Sequence, residues 1–151
     1  MNQQQSEHKF LKPTGAFIAA SWSSLIVGVS AYLIGLQNSQ LPMNEKGYYF
    51  TLLLYGLFSA VSLQKIVRDR LEGILVTSIY YGISWVSLLT SVVLVAVGLW
   101  SSTMLASEKG FYALAFVLSL FASVTVQKNI RDIALLHPKS ESTVDDAIVE
   151  E

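Results

Sequence analysis

Polar and apolar positions separate along this chain into long blocks instead of alternating within them. From Pro13 to Asn44, Gly47 to Leu63, Gly73 to Ser107 and Gly110 to Val126 there is no Asp, Glu, Lys, Arg or His. A bilayer core about 30 Å thick is crossed by about 20 apolar residues of helix, with a range of about 17 to 25. Four uncharged blocks therefore predict four transmembrane helices, near Ala16–Leu36, Gly47–Leu63, Ile74–Trp100 and Gly110–Val126. The second and fourth are short, about 25 Å at 1.5 Å per residue. Lys65 and Lys128 follow them, and long basic side chains reach back to the interface while their helices continue. A soluble bundle whose helices are apolar all round would need a core larger than so short a chain builds.

The blocks also repeat. Glu45–Lys46–Gly47 recurs as Glu108–Lys109–Gly110, 63 residues on, and Gln64–Asp69 ("QKIVRD") recurs as Gln127–Asp132 ("QKNIRD") at the same offset. The same shift aligns Ser21, Trp22, Ser24 and Leu25 with Ser84, Trp85, Ser87 and Leu88, and Gly35–Leu36 with Gly98–Leu99, without a gap. The chain is a duplicated helical hairpin. Two spans per unit give both copies the same orientation, related by an axis along the membrane normal. The fold class is all-α: a four-helix transmembrane protein built from two parallel-oriented, duplicated helical hairpins. Residues 1–15 form an N-terminal tail, 16–70 the first two-helix unit, 71–133 the second, and 134–151 a flexible acidic tail.

Charge placement sets the orientation. Lys9, Lys12, Lys65, Arg68, Arg70, Lys128, Arg131 and Lys139 lie at one end of the spans, and only Lys46 and Lys109 at the other. Eight against two is a positive-inside bias that puts both termini and the middle loop in the cytoplasm. Lys9 and Lys12 before an apolar run also suggest a secretory signal, but the run is too long and ends in "GLQNSQ" without a small-x-small cleavage pattern. It reads as a retained first span.

Composition narrows the function. Hydrophobic residues are 52% of the chain and charged ones 14%, half or so of the charge in a typical soluble domain, and the mean hydropathy is +0.49. There is no cysteine, hence no thiolate metal site and no thiol nucleophile. His8 and His137 stand alone in the flanks. No phosphate-binding glycine loop, GxSxG, HExxH or nucleic-acid module is present. No carboxylate, histidine, lysine or arginine lies inside a span, which argues against a proton-coupled transporter. The expected protein is non-enzymatic, with no catalytic residue, cofactor or metal ion and no nucleic-acid partner.

Two motifs remain as interaction candidates. In the first, Glu45, Lys46 and Gly47 repeat as Glu108, Lys109 and Gly110. Asn44 and Ser107 read as N-caps, with the glutamates in the first turn where the helix dipole favours them. Glu45 is expected to approach Lys109, or Lys46 to approach Glu108, across the duplicated pair. Tyr48, Tyr49, Phe111 and Tyr112 fit an aromatic belt at that level. In the second, Gln64, Lys65, Arg68 and Asp69 repeat as Gln127, Lys128, Arg131 and Asp132. The spacing predicts Gln–Arg and Lys–Asp contacts four residues apart in each copy, and the basic groups together suggest an anion or lipid-headgroup site. Within the spans, Ser24 and Gly28 correspond to Ser87 and Ser91, and Gly56 and Ala60 to Ser119 and Ser123. Such small-xxx-small pairs let helices approach closely in lipid.

The stretches "NEKGYYF", "LFSAVSLQKIVRD", "SEKGFYALAF" and "FASVTVQKNIRD" closely resemble the YiaA/YiaB two-helix domain family of bacterial inner-membrane proteins, in its longer, duplicated form. The resemblance runs from about Phe17 to Asp132. It implies a multi-pass inner-membrane protein with four spans and implies no activity or catalytic residue. The expected function is a structural or partner-binding membrane protein, with the lipid bilayer, a second copy or another membrane protein as its partner. A small oligomeric channel or transporter is the alternative.

Overall fold

The computed structural model describes residues 13–136, and the expectations for residues 1–12 and 137–151, both histidines included, lie outside them. Four helices follow one another: α1 (Gly15–Asn38), α2 (Met43–Leu71), α3 (Ser78–Ser101) and α4 (Ala106–Leu136). All four are long and apolar enough to cross a membrane. At 24 residues α1 and α3 are about 36 Å long; α2 and α4, at 29 and 31, reach about 44 and 47 Å. The second pair thus continues past the apolar blocks at both ends and carries both charged motifs on helix.

Local chemistry sets the boundaries. Thr14 and the equivalent Thr77 cap α1 and α3, their hydroxyls accepting from the backbone N–H of Phe17 and Tyr80 at 3.3 and 3.4 Å. The third helix accordingly begins at Ser78, not at the expected Ile74. Gly73 supplies the left-handed residue that ends α2: with φ at +77°, its N–H donates to the Arg70 carbonyl and that of Ile74 to the Asp69 carbonyl. Asn44 and Ser107 are not N-caps as expected. The helices start earlier, at Met43 after Pro42 and at Ala106, which puts both polar residues within the first turn. A proline fixes an extended approach to a helix and leaves the next residue free to begin it.

The two copies are hairpins in connectivity and not in packing. α1 lies along α4 and α3 along α2, while the helices of one unit barely touch. The remaining substantial contact is α2 against α4. Each unit's first helix is thus seated on the second helix of the other unit, and the pattern is unchanged when the units are exchanged. α2 and α4 are central and α1 and α3 peripheral, which agrees with the greater burial of the central pair.

Close approach is achieved with small residues. A Cβ on Gly28 of α1 would stand 2.8 Å from the Ser119 hydroxyl and 3.1 Å from the Ser119 backbone nitrogen on α4. One on Gly56 of α2 would stand 2.8 Å from the ring of Phe116 on α4. Glycine is the residue that fits here because the facing helix occupies the side-chain volume. Ser119 and Ser91 are fully buried, and each hydroxyl donates to a carbonyl of its own helix, Ala115 at 2.7 Å and Leu88 at 2.8 Å. The centre is filled by Tyr32, Leu53 and Phe116 together with Tyr49 and Tyr112.

Candidate functional site

At the EKG end each motif joins two helices. Lys46 donates from Nζ to the Gln37 carbonyl at 2.8 Å, and Lys109 donates to the Trp100 carbonyl at 3.2 Å. Gln37 and Trp100 are equivalent residues at the ends of α1 and α3, where the last carbonyls lack partners and the helix dipole is negative. Neighbouring carbonyls are satisfied by serine: Ser39 Oγ donates to Leu36 and Ser102 Oγ to Leu99, at 2.7 and 3.0 Å. Glu108 accepts from the Leu105 N–H at 2.9 Å, the glutamate half of a capping box. Glu45 has no such donor opposite it because Pro42 stands in the corresponding place.

The expected cross-repeat pairing is therefore replaced. Among the described residues the ion pairs all involve the other end of the bundle. Each lysine instead caps the helix that precedes it, nine residues back. That geometry is local, so it is satisfied within one unit, whereas a Glu–Lys pair would need two turns brought into contact. What does cross between units here is aromatic. Tyr49 stacks on Tyr112 with centroids 6.4 Å apart and an 18° interplanar angle. Tyr32 also crosses, meeting Tyr112 edge-on at 5.5 Å, while within its own unit it donates its hydroxyl to the Tyr49 carbonyl at 3.1 Å. Of the expected belt, only Tyr48 and Phe111 are exposed; Tyr49 and Tyr112 are buried.

Two equivalent clefts flank this cluster. One, about 300 Å³, lies between Glu45, Tyr48 and Tyr49 of α2 and Gly98, Ser101 and Ser102 at the end of α3. The other, about 310 Å³, lies between Glu108, Phe111 and Tyr112 of α4 and Gly35, Asn38 and Ser39 at the end of α1. Gly98 and Gly35 open them, since a Cβ on either would stand 2.8 Å from the Tyr48 or Phe111 ring. Gly47 and Gly110 differ: nothing lies within 4 Å of a Cβ built there. Gly47→Ala and Gly110→Ala are therefore expected to leave the fold intact, or to stabilise it by up to about 1 kcal/mol each, the propensity difference in an exposed helix. Thermal unfolding in detergent checks this, and a clear loss of stability would mean that the turns are packed against something in the folded protein.

At the QK end Arg68 and Arg131 are met within the protein. Arg68 pairs with Asp69 at 3.3 Å and Glu72 at 3.4 Å; Arg131 pairs with Asp132 at 3.4 Å and, at the end of α2, with Glu72 at 3.3 Å. Glu72 thus lies between the two arginines at the surface. Of the expected contacts four apart, Lys128–Asp132 forms at 3.8 Å, while Asp69 goes to Arg68 instead. The expected Gln–Arg contacts are not made: Gln64 and Gln127 each keep a buried carbonyl oxygen without a hydrogen-bond partner. The two guanidinium groups, met by three carboxylates, serve the helix ends, and of the four basic groups expected to hold an anion only Lys65 makes no ion pair among the described residues.

Within the QK motif the repeat is broken at a buried position. Asn129 of α4 is 1% exposed, and its Nδ2 donates to the Ser21 hydroxyl on α1 at 3.1 Å, while its Oδ1 has no partner. The equivalent residue in the first unit is Ile66, equally buried. The signal is the single polar difference between "QKIVRD" and "QKNIRD". Interhelical hydrogen bonds in lipid contribute about 0.6 kcal/mol on average, and an orphaned buried acceptor costs about 1–3 kcal/mol. Asn129→Ile is accordingly expected to leave stability unchanged or raise it by about 1 kcal/mol. A marked drop in the unfolding midpoint would show that Oδ1 is engaged in the membrane.

No metal-binding group of His, Asp or Glu residues occurs among the described residues. No solved structure matches the chain. Over 133 residues it is 53% identical to the Inner membrane protein YiaA of Escherichia coli (strain K12), covering 88% of this chain and 92% of that protein. Over 60 residues it is 37% identical to the Uncharacterized membrane protein YubF of Bacillus subtilis (strain 168), covering 39% of this chain and 69% of that protein. The yiaA/B two-helix domain model matches twice, at residues 17–69 and 80–132, the same 63-residue offset that the motifs display. With its four apolar spans and two copies of this domain, the chain belongs to the yiaA/B two-helix domain family of multi-pass inner-membrane proteins.

Proposed function

We propose that this protein is a non-enzymatic component of the inner membrane that acts by binding another membrane protein or a second copy of itself. The supporting observation is where its polar groups are used. Lys46, Lys109 and Glu108 satisfy helix ends, the arginines are held by Asp69, Asp132 and Glu72, and the interior hydroxyls of Tyr32, Ser91 and Ser119 bond to backbone carbonyls. A catalytic site needs titratable groups converging on a cleft, and a path through one chain would need the room that Tyr32, Leu53 and Phe116 fill. Both termini and the QK end lie in the cytoplasm in this reading, and the EKG turns face the opposite side, on the strength of the basic-residue bias.

Native mass spectrometry of protein taken directly from membranes, paired with solute flux into sealed vesicles holding the purified protein, tests the proposal. A defined complex without flux is the expected result. Saturable flux that is lost on Glu45→Lys with Glu108→Lys would overturn it in favour of an oligomeric channel. The chain has no cysteine of its own, so Leu75→Cys, fully exposed in the link between α2 and α3, and Gln40→Cys, made singly, report orientation cleanly. Labelling of the first from the cytoplasmic side only, and of the second from the opposite side only, is expected; the reverse pattern would refute the topology.

A further inference from the structure

Each two-helix unit is built to be completed by another such unit, and the packing specifies the partner. Within a unit the two helices make few contacts, so most of the packing of α1 is against α4 and most of that of α3 is against α2, with the Tyr32 hydroxyl bonded to the Tyr49 carbonyl as the main buried link inside the first unit. The residues that let the helices approach follow the same division. Gly28 on α1 faces Ser119 on α4, and Gly35 on α1 faces Phe111 and Tyr112 on α4. Gly98 on α3 faces Tyr48 and Tyr49 on α2. The polar contacts between Asn129 and Ser21 and between Tyr48 and the Leu94 carbonyl at 2.7 Å run from one unit to the other.

We infer that the interface between the units is an association surface for a second copy of a two-helix unit, and that the covalent link at residues 72–77 is dispensable for holding the two together. The inference concerns how this chain is assembled and does not depend on the proposed function. Three further observations favour it. First, every span satisfies its own backbone, so each unit is able to reside in the bilayer as two helices before the units meet, the order of events that a lipid solvent permits. Second, the pattern of helix pairing is the same on exchanging the units, the arrangement that arises when two copies of one element pair about a two-fold axis. Third, the YubF match of 60 residues makes up 69% of that protein, and 60/0.69 − 60 leaves about 27 residues, too few for a second pair of spans at about 20 residues each. A relative of that length holds a single unit, whose apolar seam is closed most directly by another copy.

The test uses the whole chain. A protease site is inserted between Gly73 and Ile74, the protein is purified folded in mild detergent, and the link is then cut. The expected result is that the two halves continue to elute together and give the mass of the uncut chain by native mass spectrometry. Separation into two species, whether folded or aggregated, would overturn the inference, because the link would then be what holds the units together. A second variant guards against an insertion that disturbs folding. Ser21→Cys with Asn129→Cys places two sulfurs on opposite sides of the same seam, where the native side chains already touch at 3.1 Å, within the span of a short thiol cross-linker that carries a disulfide. In the otherwise cysteine-free chain, cross-linking followed by proteolysis at the native link should leave the halves joined on a non-reducing gel and free on a reducing one. Halves that are free on both would show that α1 and α4 do not form this seam.

Discussion

Replacing Gly28 by leucine is expected to detach α1 from α4 and to lower stability by more than about 3 kcal/mol, beyond the usual range for overpacking. The cause is specific. A Cβ at this position would meet the Ser119 hydroxyl at 2.8 Å and the Ser119 backbone nitrogen at 3.1 Å. A hydroxyl is able to rotate away, but the backbone of a central helix is not. Alanine, which adds the Cβ and nothing more, should cost about 1–3 kcal/mol. Ser119→Gly should recover part of that loss and almost none of the leucine loss, because it removes the closer atom and leaves the backbone in place. Unfolding midpoints of these variants in one detergent, read beside the fraction of α1 accessible to a proteolytic probe, measure this directly. If Gly28→Leu unfolds at the wild-type midpoint, the α1–α4 seam is not the one that holds the protein together.

The contrast between what could and could not be read from the sequence follows from the solvent. The four spans and the 63-residue repeat were legible because charge is excluded from hydrocarbon and duplicated motifs survive in register. The partner of each helix was not. In water a helix buries one apolar stripe, and the stripe indicates the facing side; in lipid the outer surface is as apolar as the core, so Ile26, Val27 and Ile34 on the exposed side of α1 look no different from Leu36 on its buried side. The small residues did mark the close contacts, and Gly28, Gly56 and Ser119 are all found at them. They carried no information about which helix would fill the space.

The same limit explains the details of the charged motifs. Equal basic and acidic residues in two copies suggested a partnership between copies, yet a lysine nine residues beyond a helix end reaches that end first. The carbonyls it satisfies are backbone groups, which no side-chain pattern records. Glu72 offers the opposite case. The residue 63 positions on is Leu135, and Glu72 nevertheless supplies an ion pair that ties the end of α2 to Arg131 on α4. Identity between copies highlighted the hairpin; the contacts that make one protein of two hairpins lie partly where the copies differ.

Phe116 is the clearest of these differences, and its removal is the second large effect expected. Phe116→Ala should cost about 3–5 kcal/mol, the range for emptying an aromatic site in a packed interior. The ring is 2% exposed, lies 6.3 Å from Tyr32, and occupies the space that Gly56 leaves on α2. In the first unit the equivalent residue is Leu53, also buried, and the equivalent of Gly56 is Ser119. The larger ring on α4 is matched by a glycine on α2, so the Phe116–Gly56 contact is filled while the identity of the copies is abandoned. Volume matched in this way must appear as coupling. Gly56→Leu should be strongly destabilising when Phe116 is present, since a Cβ would stand 2.8 Å from the ring. Combined with Phe116→Ala, the same substitution should be close to neutral or restorative, because the leucine side chain then fills the gap. A double-mutant cycle on unfolding midpoints is expected to give an interaction energy at the upper end of the range of about 0.5–3 kcal/mol found for residues in contact. Additive losses would mean that the two positions do not share one space, and the asymmetry of the copies would then need a different cause. Coupling of the expected size would identify the α2–α4 contact as the place where two once-equal units became committed to different roles in a single chain.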